Sequence, residues 1–292
     1  MIYRVRHRTT YRYGDPVSLS LNQCCLRPRD FAAQRCTSYA MVVTPVPPVV
    51  IERDDFFGNH HAVFNIGEPH REMVIDSQSE LEVSARYYPD PESTLPWEFA
   101  RDALRRNDLQ PAILDAMVFV YASPMIRLSA KFAEYAAPSF PKNRPLLAAL
   151  LDFTKRIKTE FTYDARATTL ATRSEDVLEK KRGVCQDFAQ LQAACLRSLG
   201  LATRYVSGYL LTHPPPGKPR LIGADASHCW VSVFSPELGW IDIDPTNGCF
   251  VDDEHITVAW GRDYQDVTPV KGVILGGGGQ SITVSVDVES VS

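Results

Sequence analysis

The sequence predicts an α+β protein in which an antiparallel β-sandwich domain precedes a core of helices and strands. Apolar and polar residues alternate in short segments through the first 88 residues, which is typical of half-buried strands. Broad apolar stripes at helical spacing come next, and three further strand-like segments follow them. Because helices followed by a run of strands are typical of α+β proteins, we expect two domains, at residues 1–88 and 89–292.

The amino-terminal domain is predicted to contain short strands joined by tight turns. The predicted strands lie at residues 2–6, 10–13, 39–43, 49–51, 62–64 and 79–86. The strongest turn signals are residues 14–16, Gly-Asp-Pro, and residues 54–59, because glycine and asparagine tolerate positive φ and proline interrupts a strand. A proline-containing stretch at residues 89–93 predicts the linker to the second domain.

The second domain is predicted to begin with helices, at residues 146–157 and 185–199 among others. Pro145 suits the first turn of one of these helices, and Gly200 suits the end of the other. Thr172 and Glu175 have the spacing of a capping box, which predicts a short helix that ends at Gly183. Strands are then predicted at residues 202–211, 228–234 and 240–244 and, after a flexible hinge of four glycines at residues 276–279, at residues 282–288.

The composition is that of a globular protein. Hydrophobic residues make up 45% and charged residues 23% of the 292 residues, and the net charge is −4. This balance gives no electrostatic reason to expect nucleic acid or an anionic membrane as a partner. No apolar run reaches about 18 residues, so no transmembrane helix is expected. The alternating start of the chain is unlike a signal peptide, and we therefore expect a cytoplasmic protein.

The seven cysteines do not predict a disulfide framework. Their number is odd and their spacing is irregular, so at least one thiol is expected to be free. A zinc site is an alternative use of these thiols, with Cys185, His228, Cys229 and Cys249 as candidate ligands. The sequence has no Cys-x-x-Cys or His-x-x-x-His spacing, however, and we expect neither a metal nor another cofactor.

The segment GVCQDFA at residues 183–189 places Cys185 at the start of the long predicted helix. A helix N-terminus carries partial positive charge and unpaired N–H groups. Both favour a thiolate over a thiol, and the thiolate is the nucleophilic form of cysteine. From this segment alone, an unreactive cysteine in the protein core is an equally good interpretation.

The segment SHCWV at residues 227–231 opens a predicted strand with a histidine. Strand alternation puts His228 and Trp230 on one face and Cys229 on the other, which is the face that continues into an apolar core. His228 is therefore expected to point away from that core, and Cys229 away from His228. A histidine with a purely structural role is the alternative.

The segment GWIDIDPTN at residues 239–247 ends a predicted strand with two acids. Asp242 and Asp244 share one strand face, and Pro245 stops the strand after them. A carboxylate at this place can accept the second ring N–H of His228 and stabilise the imidazolium. Strand geometry leaves both aspartates as candidates, and a turn-capping role is the alternative.

Taken in this order, the three segments resemble the transglutaminase-like superfamily, a papain-related group with Cys-His-Asp triads. The resemblance spans roughly residues 146–247 and departs from many relatives at Cys229, where they have alanine. The amino-terminal region and the tail resemble bacterial members through HxTxYxY at residues 7–13, LRPR at residues 26–29, DxxGN at residues 55–59 and GRDYxDV at residues 261–267. The resemblance implies a papain-like or transglutaminase-like core with Cys185 as nucleophile, His228 as general base and Asp244 as orienting acid.

This resemblance also implies acyl transfer, in which the Cys185 thiolate forms a thioester that water or an amine then cleaves. Hydrolysis of a peptide or small amide is the first expectation, and transglutaminase-type transamidation or amide ligation is the second. The Cys185 backbone N–H is the expected oxyanion donor, with the Gln186 side chain as a weaker candidate. A non-catalytic peptide-binding module is the alternative from another functional class, and a homo-oligomer is compatible with each. The segment at residues 213–219 is expected to border the substrate groove or to be a plain surface loop.

Overall fold

The computed structural model describes residues 1–106, 110–169, 172–212 and 227–291. Its strands are β1 (Ile2–Cys24), β2 (Gln34–Thr44), β3 (Val50–Asp54), β4 (His60–Ile66), β5 (His70–Val83), β6 (Thr162–Tyr163), β7 (Arg182–Gly183), β8 (Thr203–Leu210), β9 (Ser227–Ser235), β10 (Gly239–Asp244), β11 (Cys249–Phe250), β12 (His255–Gly261), β13 (Val270–Gly276) and β14 (Gln280–Ser290). Its α-helices are α1 (Trp97–Arg105), α2 (Pro111–Met117), α3 (Ala130–Ala136), α4 (Leu146–Glu160), α5 (Ser174–Lys180) and α6 (Cys185–Ser198). Short 3₁₀ turns lie at Pro91–Ser93 and Ala137–Ser139.

The amino-terminal strands form part of one seven-stranded antiparallel sheet that curls around the long strand β1. The first half of β1 pairs with β5 and β14, and its second half pairs with β4 and β13. β2 and β3 lie at the two edges. The predicted β-sandwich of two facing sheets is therefore corrected to a single curled sheet, because β1 runs through both halves without a break.

The turn predicted at residues 14–16 is wrong, since β1 continues through this stretch with a local change of register against β5. The Gly14 backbone N–H donates to the Gly279 carbonyl at 2.7 Å, and the Asp15 N–H donates to the Gly277 carbonyl at 3.0 Å. These carbonyls satisfy N–H groups that a tight turn would leave to solvent. Because the partners lie near the other end of the chain, local turn signals do not reveal them.

The last two strands belong to the amino-terminal sheet. The sequence grouped them with residues 89–292, but β13 and β14 both pair with β1. The glycine segment at residues 276–279, predicted to be a flexible hinge, connects them and makes the hydrogen bonds to β1 given above. The chain thus returns to its first strand, while the domain boundary between residues 88 and 89 stays a prediction.

The second large sheet carries the candidate site, in the strand order β11-β10-β9-β8-β12. β8, β9 and β10 confirm the three strands predicted in this region. α6 packs against β8 and β9, and α4 packs against β10. One buried apolar core includes Tyr3 and Val5 of β1 together with Leu191 and Leu196 of α6. β1 is therefore packed on the core of the second region as well as paired in the first sheet.

The structure confirms where α4 and α6 begin, and Gly200 follows α6 with a φ of +90°. The capping box predicted at Thr172 is wrong. Ser174 is already the first helical residue of α5, and among the described residues no side-chain hydrogen bond caps this helix. α5 ends at Lys180, and not at Gly183; the residue that caps it, Lys181, has a φ of 54°. Lys181 adopts the left-handed conformation that glycine usually has after a helix. Because it is not a glycine, the sequence did not indicate that the helix ends here.

The helices are short, and α4 has 15 residues. Within the described part of the chain, none of them combines the length and the apolar character needed to cross a membrane. The expected cytoplasmic location stays a prediction.

We expect Gly208→Ala to destabilise the protein. A Cβ at residue 208 of β8 would overlap the Ile256 carbonyl oxygen of β12 and lie 2.6 Å from the Trp230 ring. Neither neighbour can move without disturbing paired strands, so we expect the free energy of unfolding to fall by about 1–3 kcal/mol in urea denaturation. Gly67→Ala is the control, because a Cβ there meets nothing within 4 Å. Equal unfolding midpoints for the two variants would contradict this prediction.

Candidate active site

Cys185 is the first residue of α6, and the turn before the helix fixes its position. The Val184 backbone N–H and the Thr168 hydroxyl both donate to Asp187 Oδ2, at 2.8 and 2.6 Å. Asp187 thereby ties the preceding chain to the first turn of the helix. Glycine is required at residue 183, because a Cβ there would lie 2.8 Å from the Asp187 side chain. Cys185 is thus held where the helix dipole favours a thiolate.

His228 and Asp244 lie at adjacent ends of β9 and β10. The His228 Nε2 atom donates to Asp244 Oδ2 at 2.7 Å, and Asp244 is completely buried. The rival acid, Asp242, forms an ion pair with Arg86 instead. The offset of two residues along β10 therefore gives the two aspartates different partners. The structure places Asp244 at His228, and Asp242 elsewhere.

The Asp244 carboxylate accepts further hydrogen bonds from the turn that follows β10. Its Oδ1 accepts from the backbone N–H groups of Thr246 and Asn247, at 2.8 and 3.2 Å. Its Oδ2 also accepts from the side-chain amide of Asn247 at 2.6 Å. Thr246 and Asn247 thus donate hydrogen bonds to the Asp244 carboxylate. Asp244 therefore caps the turn and also contacts His228.

His255 and Asp252 extend this network, although the sequence did not single them out. His255 Nε2 lies 3.3 Å from Asp244 Oδ2, and His255 Nδ1 lies 2.8 Å from Asp252 Oδ1. The His255 ring also meets the Trp230 ring edge-on, with centroids 5.3 Å apart. The available sequence signal was weak: a histidine three residues after an acid, at the start of an apolar strand. Only the packing of β12 beside β8 brings it to Asp244.

The protonation states of the site are coupled through these contacts. A hydrogen bond with Cys229 lowers the pKa of Cys185, and the hydrogen bond and charge of His228 lower it further, to about 5, against the effect of burial. Burial alone would lower the pKa of His228, but Asp244 and Cys185 raise it to about 10. Burial would raise the pKa of Asp244, but hydrogen bonds from His228 and His255 hold it well below its usual range. These contacts therefore favour a Cys185 thiolate beside a protonated His228 ring.

Cys185 differs in this respect from the other six cysteines of the chain, because burial raises the pKa of each of them. Cys229 is the one that contacts it. Cys229 belongs to the buried core against which Cys185 packs, and its thiol hydrogen-bonds with Cys185. The sequence correctly placed Cys229 in the apolar core, but the inference that it stands apart from the site is corrected, because α6 covers that face of the sheet.

The candidate zinc ligands named from the sequence do not form one cluster. Among the described residues, the potential ligand atoms that lie together belong to His228, Asp244 and His255, within 4.8 Å of one another. Neither Cys185 nor Cys249 is part of this group. Hydrogen bonds already join the three side chains, and the expectation of no metal and no cofactor stays a prediction.

The N-terminus of α6 offers backbone N–H groups beside the sulfur. The Gln186 backbone N–H hydrogen-bonds with Cys185 and helps to lower the pKa of its thiol. From the sequence, the Gln186 side chain was a weaker candidate for an oxyanion donor. In the structure it is the Gln186 backbone N–H that contacts Cys185. The segment at residues 213–219, considered as a border of the substrate groove, lies outside the described residues.

Comparisons with known proteins match both regions of the chain. The bacterial transglutaminase-like N-terminal region matches residues 3–82, and the transglutaminase-like superfamily matches residues 134–245. The Mycobacterium tuberculosis protein Rv2569c is 44% identical over 98% of this chain and 92% of its own length. A Pseudomonas aeruginosa protein-glutamine gamma-glutamyltransferase is 26% identical over 49% of this chain and 22% of its own length.

A solved structure resembles the whole chain. It belongs to a Cytophaga hutchinsonii protein described as a "putative cysteine protease" and has a TM-score of 0.79, covering 100% of this chain and 91% of its own. The two sequences are 20% identical, so this likeness shows a shared fold. The shared fold includes the curled amino-terminal sheet as well as the core.

We expect Cys185 to react with iodoacetamide at pH 6 before the other cysteines, since its thiol is already deprotonated there and theirs are not. The pH dependence of its labelling, followed by peptide mass spectrometry, should have a midpoint near pH 5. His228→Ala should move this midpoint upward, because it removes a hydrogen bond and a charge that favour the thiolate.

Cys249→Ser is the matched control and should leave the Cys185 profile unchanged, because Cys249 is also partly exposed but has a raised pKa. Equal labelling of Cys185 and Cys249 at pH 6 would show that Cys185 is an ordinary thiol.

Proposed function

Because the chain belongs to the transglutaminase-like superfamily, we propose that it is an enzyme that transfers the acyl group of an amide through a thioester on Cys185. The observation that carries this proposal is the hydrogen bond between Cys185 and His228, whose ring is also hydrogen-bonded to Asp244, because these contacts favour a thiolate beside an imidazolium. No other cysteine of the chain has a lowered pKa. In this proposal Cys185 is the nucleophile, His228 is the general acid and base, and Asp244 orients and stabilises the His228 ring.

The chemistry follows from the hydrogen bonds of His228. Its Nε2 is engaged by Asp244, which leaves Nδ1 for the reaction at Cys185. The thiolate attacks the amide carbonyl carbon, and the imidazolium gives its proton to the leaving nitrogen as the C–N bond breaks. An amine or ammonia departs and a thioester remains. His228, now neutral, takes a proton from water, which attacks the thioester and releases the acid and the Cys185 thiolate.

The negative charge that develops on the carbonyl oxygen needs donors near the sulfur. The N-terminus of α6 supplies them, because its first backbone N–H groups have no partner within the helix. The Cys185 N–H is the first proposed donor, and the Gln186 N–H, which hydrogen-bonds with the sulfur in the resting site, is the second. The helix dipole favours the same charge.

Hydrolysis of a peptide or small amide is the first form of this proposal, and transamidation is the second. The likeness to a Cytophaga hutchinsonii protein described as a protease favours hydrolysis. The local similarity to a protein-glutamine gamma-glutamyltransferase favours transfer to an amine. Both reactions share the thioester and differ in whether water or an amine cleaves it.

We expect Cys185→Ala to lower the rate by about 10⁴-fold or more, since the proposed triad acts as a unit. A glutamine-containing peptide is incubated with the protein, with and without a primary amine, and the products are identified by mass spectrometry. A cleaved or deamidated peptide indicates hydrolysis, and an amine adduct indicates transamidation.

Acid quenching during turnover should trap the acyl group on Cys185, and the Cys249→Ala variant should keep full activity. Full activity in Cys185→Ala, or acylation of a different cysteine, would exclude the proposed mechanism.

We further expect His255 to act as a positioning residue for Asp244. His255→Phe removes one donor to the carboxylate that orients His228, so kcat should fall about tenfold with little change in KM, the effect of one hydrogen bond to a charged group. His255→Gln keeps an N–H donor and should restore most of the rate. If both variants lose equal activity together with thermal stability, His255 is a structural residue and not a positioning one.

A further inference from the structure

A cleft of about 750 Å³ lies between the amino-terminal region and the five-stranded sheet. Its walls come from residues 31–33 and 84–89 on one side and from β8, β10 and the end of β12 on the other. Apolar and aromatic side chains dominate these walls and include Phe31, Tyr88, Leu238, Trp240 and Trp260. Neither Cys185 nor His228 lines the cleft, so it is distinct from the proposed active site.

Arg204, a residue of β8, lies in the wall of this cleft with only 8% of its surface exposed. Its guanidinium carbon lies 4.2 Å from the centre of the Trp240 ring and 3.7 Å from the centre of the Trp260 ring. Its Nε atom is buried, and among the residues that the structure describes no group accepts a hydrogen bond from it. Arg204 is therefore a buried cation between two aromatic rings, and its Nε–H donor has no acceptor among the described residues.

Within the described part of the chain, the charges that act on Arg204 do not neutralise it. Burial holds its pKa well below its usual range, and the positive charges of Arg29 and Arg86 act in the same direction. Arg86 is paired with Asp242, and Arg29 donates to Asn59 and stacks on Trp260 at 3.6 Å. Of the described charged side chains that line the cleft, two are arginines and one is an aspartate, so these residues leave one positive charge without a counter-charge.

A buried cation without a counter-charge is costly, and an anion in the cleft would relieve this cost. A guanidinium presents parallel N–H donors that match the two oxygens of a carboxylate. The single unpaired positive charge matches a monovalent anion, and the aromatic walls match an apolar group attached to it. We propose that this cleft binds an organic carboxylate, with its charged end at Arg204 and its apolar part against Trp240 and Trp260.

The test compares matched acids and amides on the intact chain by isothermal calorimetry. One pair is 3-phenylpropionate and 3-phenylpropionamide, and the other is benzyloxycarbonyl-glycyl-phenylalanine and its C-terminal amide. The acid of at least one pair should bind about tenfold to a hundredfold more tightly than its amide, because only the acid forms a charged pair with Arg204. Preference for the small acid indicates a free metabolite, and preference for the peptide acid indicates a peptide C-terminus.

Arg204→Met keeps a long side chain between the tryptophan rings and removes the charge. In this variant the affinity for the acid should fall to that of the amide, and the unliganded protein should unfold at the same or a higher temperature than the original chain. Arg105→Met, an exposed arginine that does not line the cleft, is the control and should leave binding unchanged.

The proposal is overturned if neither acid binds the original chain more tightly than its amide. It is also overturned if Arg204→Met keeps the preference for the acid. The comparison of acid with amide on the original chain decides the question even if the variant does not fold. Cys185→Ala should bind the acid like the original chain, so this test is independent of the proposed catalysis.

Discussion

The buried carboxylate of Asp244 is the group on which the arrangement of the candidate site depends. An ionised carboxylate without solvent contact is tolerated in a protein only when it accepts enough hydrogen bonds. Asp244 accepts them from the rings of His228 and His255, from the Asn247 side chain and from two backbone N–H groups that follow it. These donors belong to β9, β12 and the turn after β10, so one charge joins three separate parts of the sheet.

The same charge reaches Cys185 through His228. Asp244 raises the pKa of His228, and the resulting imidazolium lowers the pKa of Cys185. The N-terminus of α6 and the Cys229 thiol act in the same direction. The negative charge on the sulfur is thus distributed over contacts from one helix, α6, and one strand, β9. This explains why one thiol in seven has a lowered pKa although all lie in the same small protein.

Arg204 is a second buried charge on the same five-stranded sheet, but it has fewer compensating contacts than Asp244. Asp244 is surrounded by donors, whereas Arg204 lies between two tryptophan rings and near two other arginines. The aromatic rings favour a cation but supply no hydrogen-bond acceptor in their plane, so the charge is only partly compensated. The segments at residues 31–33 and 84–89, which adjoin the strands β2 and β5 of the curled sheet, contribute one wall of this cleft.

Local patterns in the sequence determined the strands β8 to β10, the helix α6 and the positions of Cys185 and His228 at the starts of their elements, because helix ends and strand alternation depend on neighbours along the chain. The family resemblance carried by those segments was also correct. Strand alternation left Asp242 and Asp244 equivalent, and the family resemblance implied Asp244; the tertiary structure gives the two aspartates different partners, with Asp244 at His228 and Asp242 at Arg86. Tertiary structure alone decided that His255 joins this pair. It also decided that β1 passes through its predicted turn. Each of these outcomes depends on a hydrogen-bond partner from a distant segment of the chain. The spacing of residues in the sequence does not indicate which distant segments pack together, so it could not predict them.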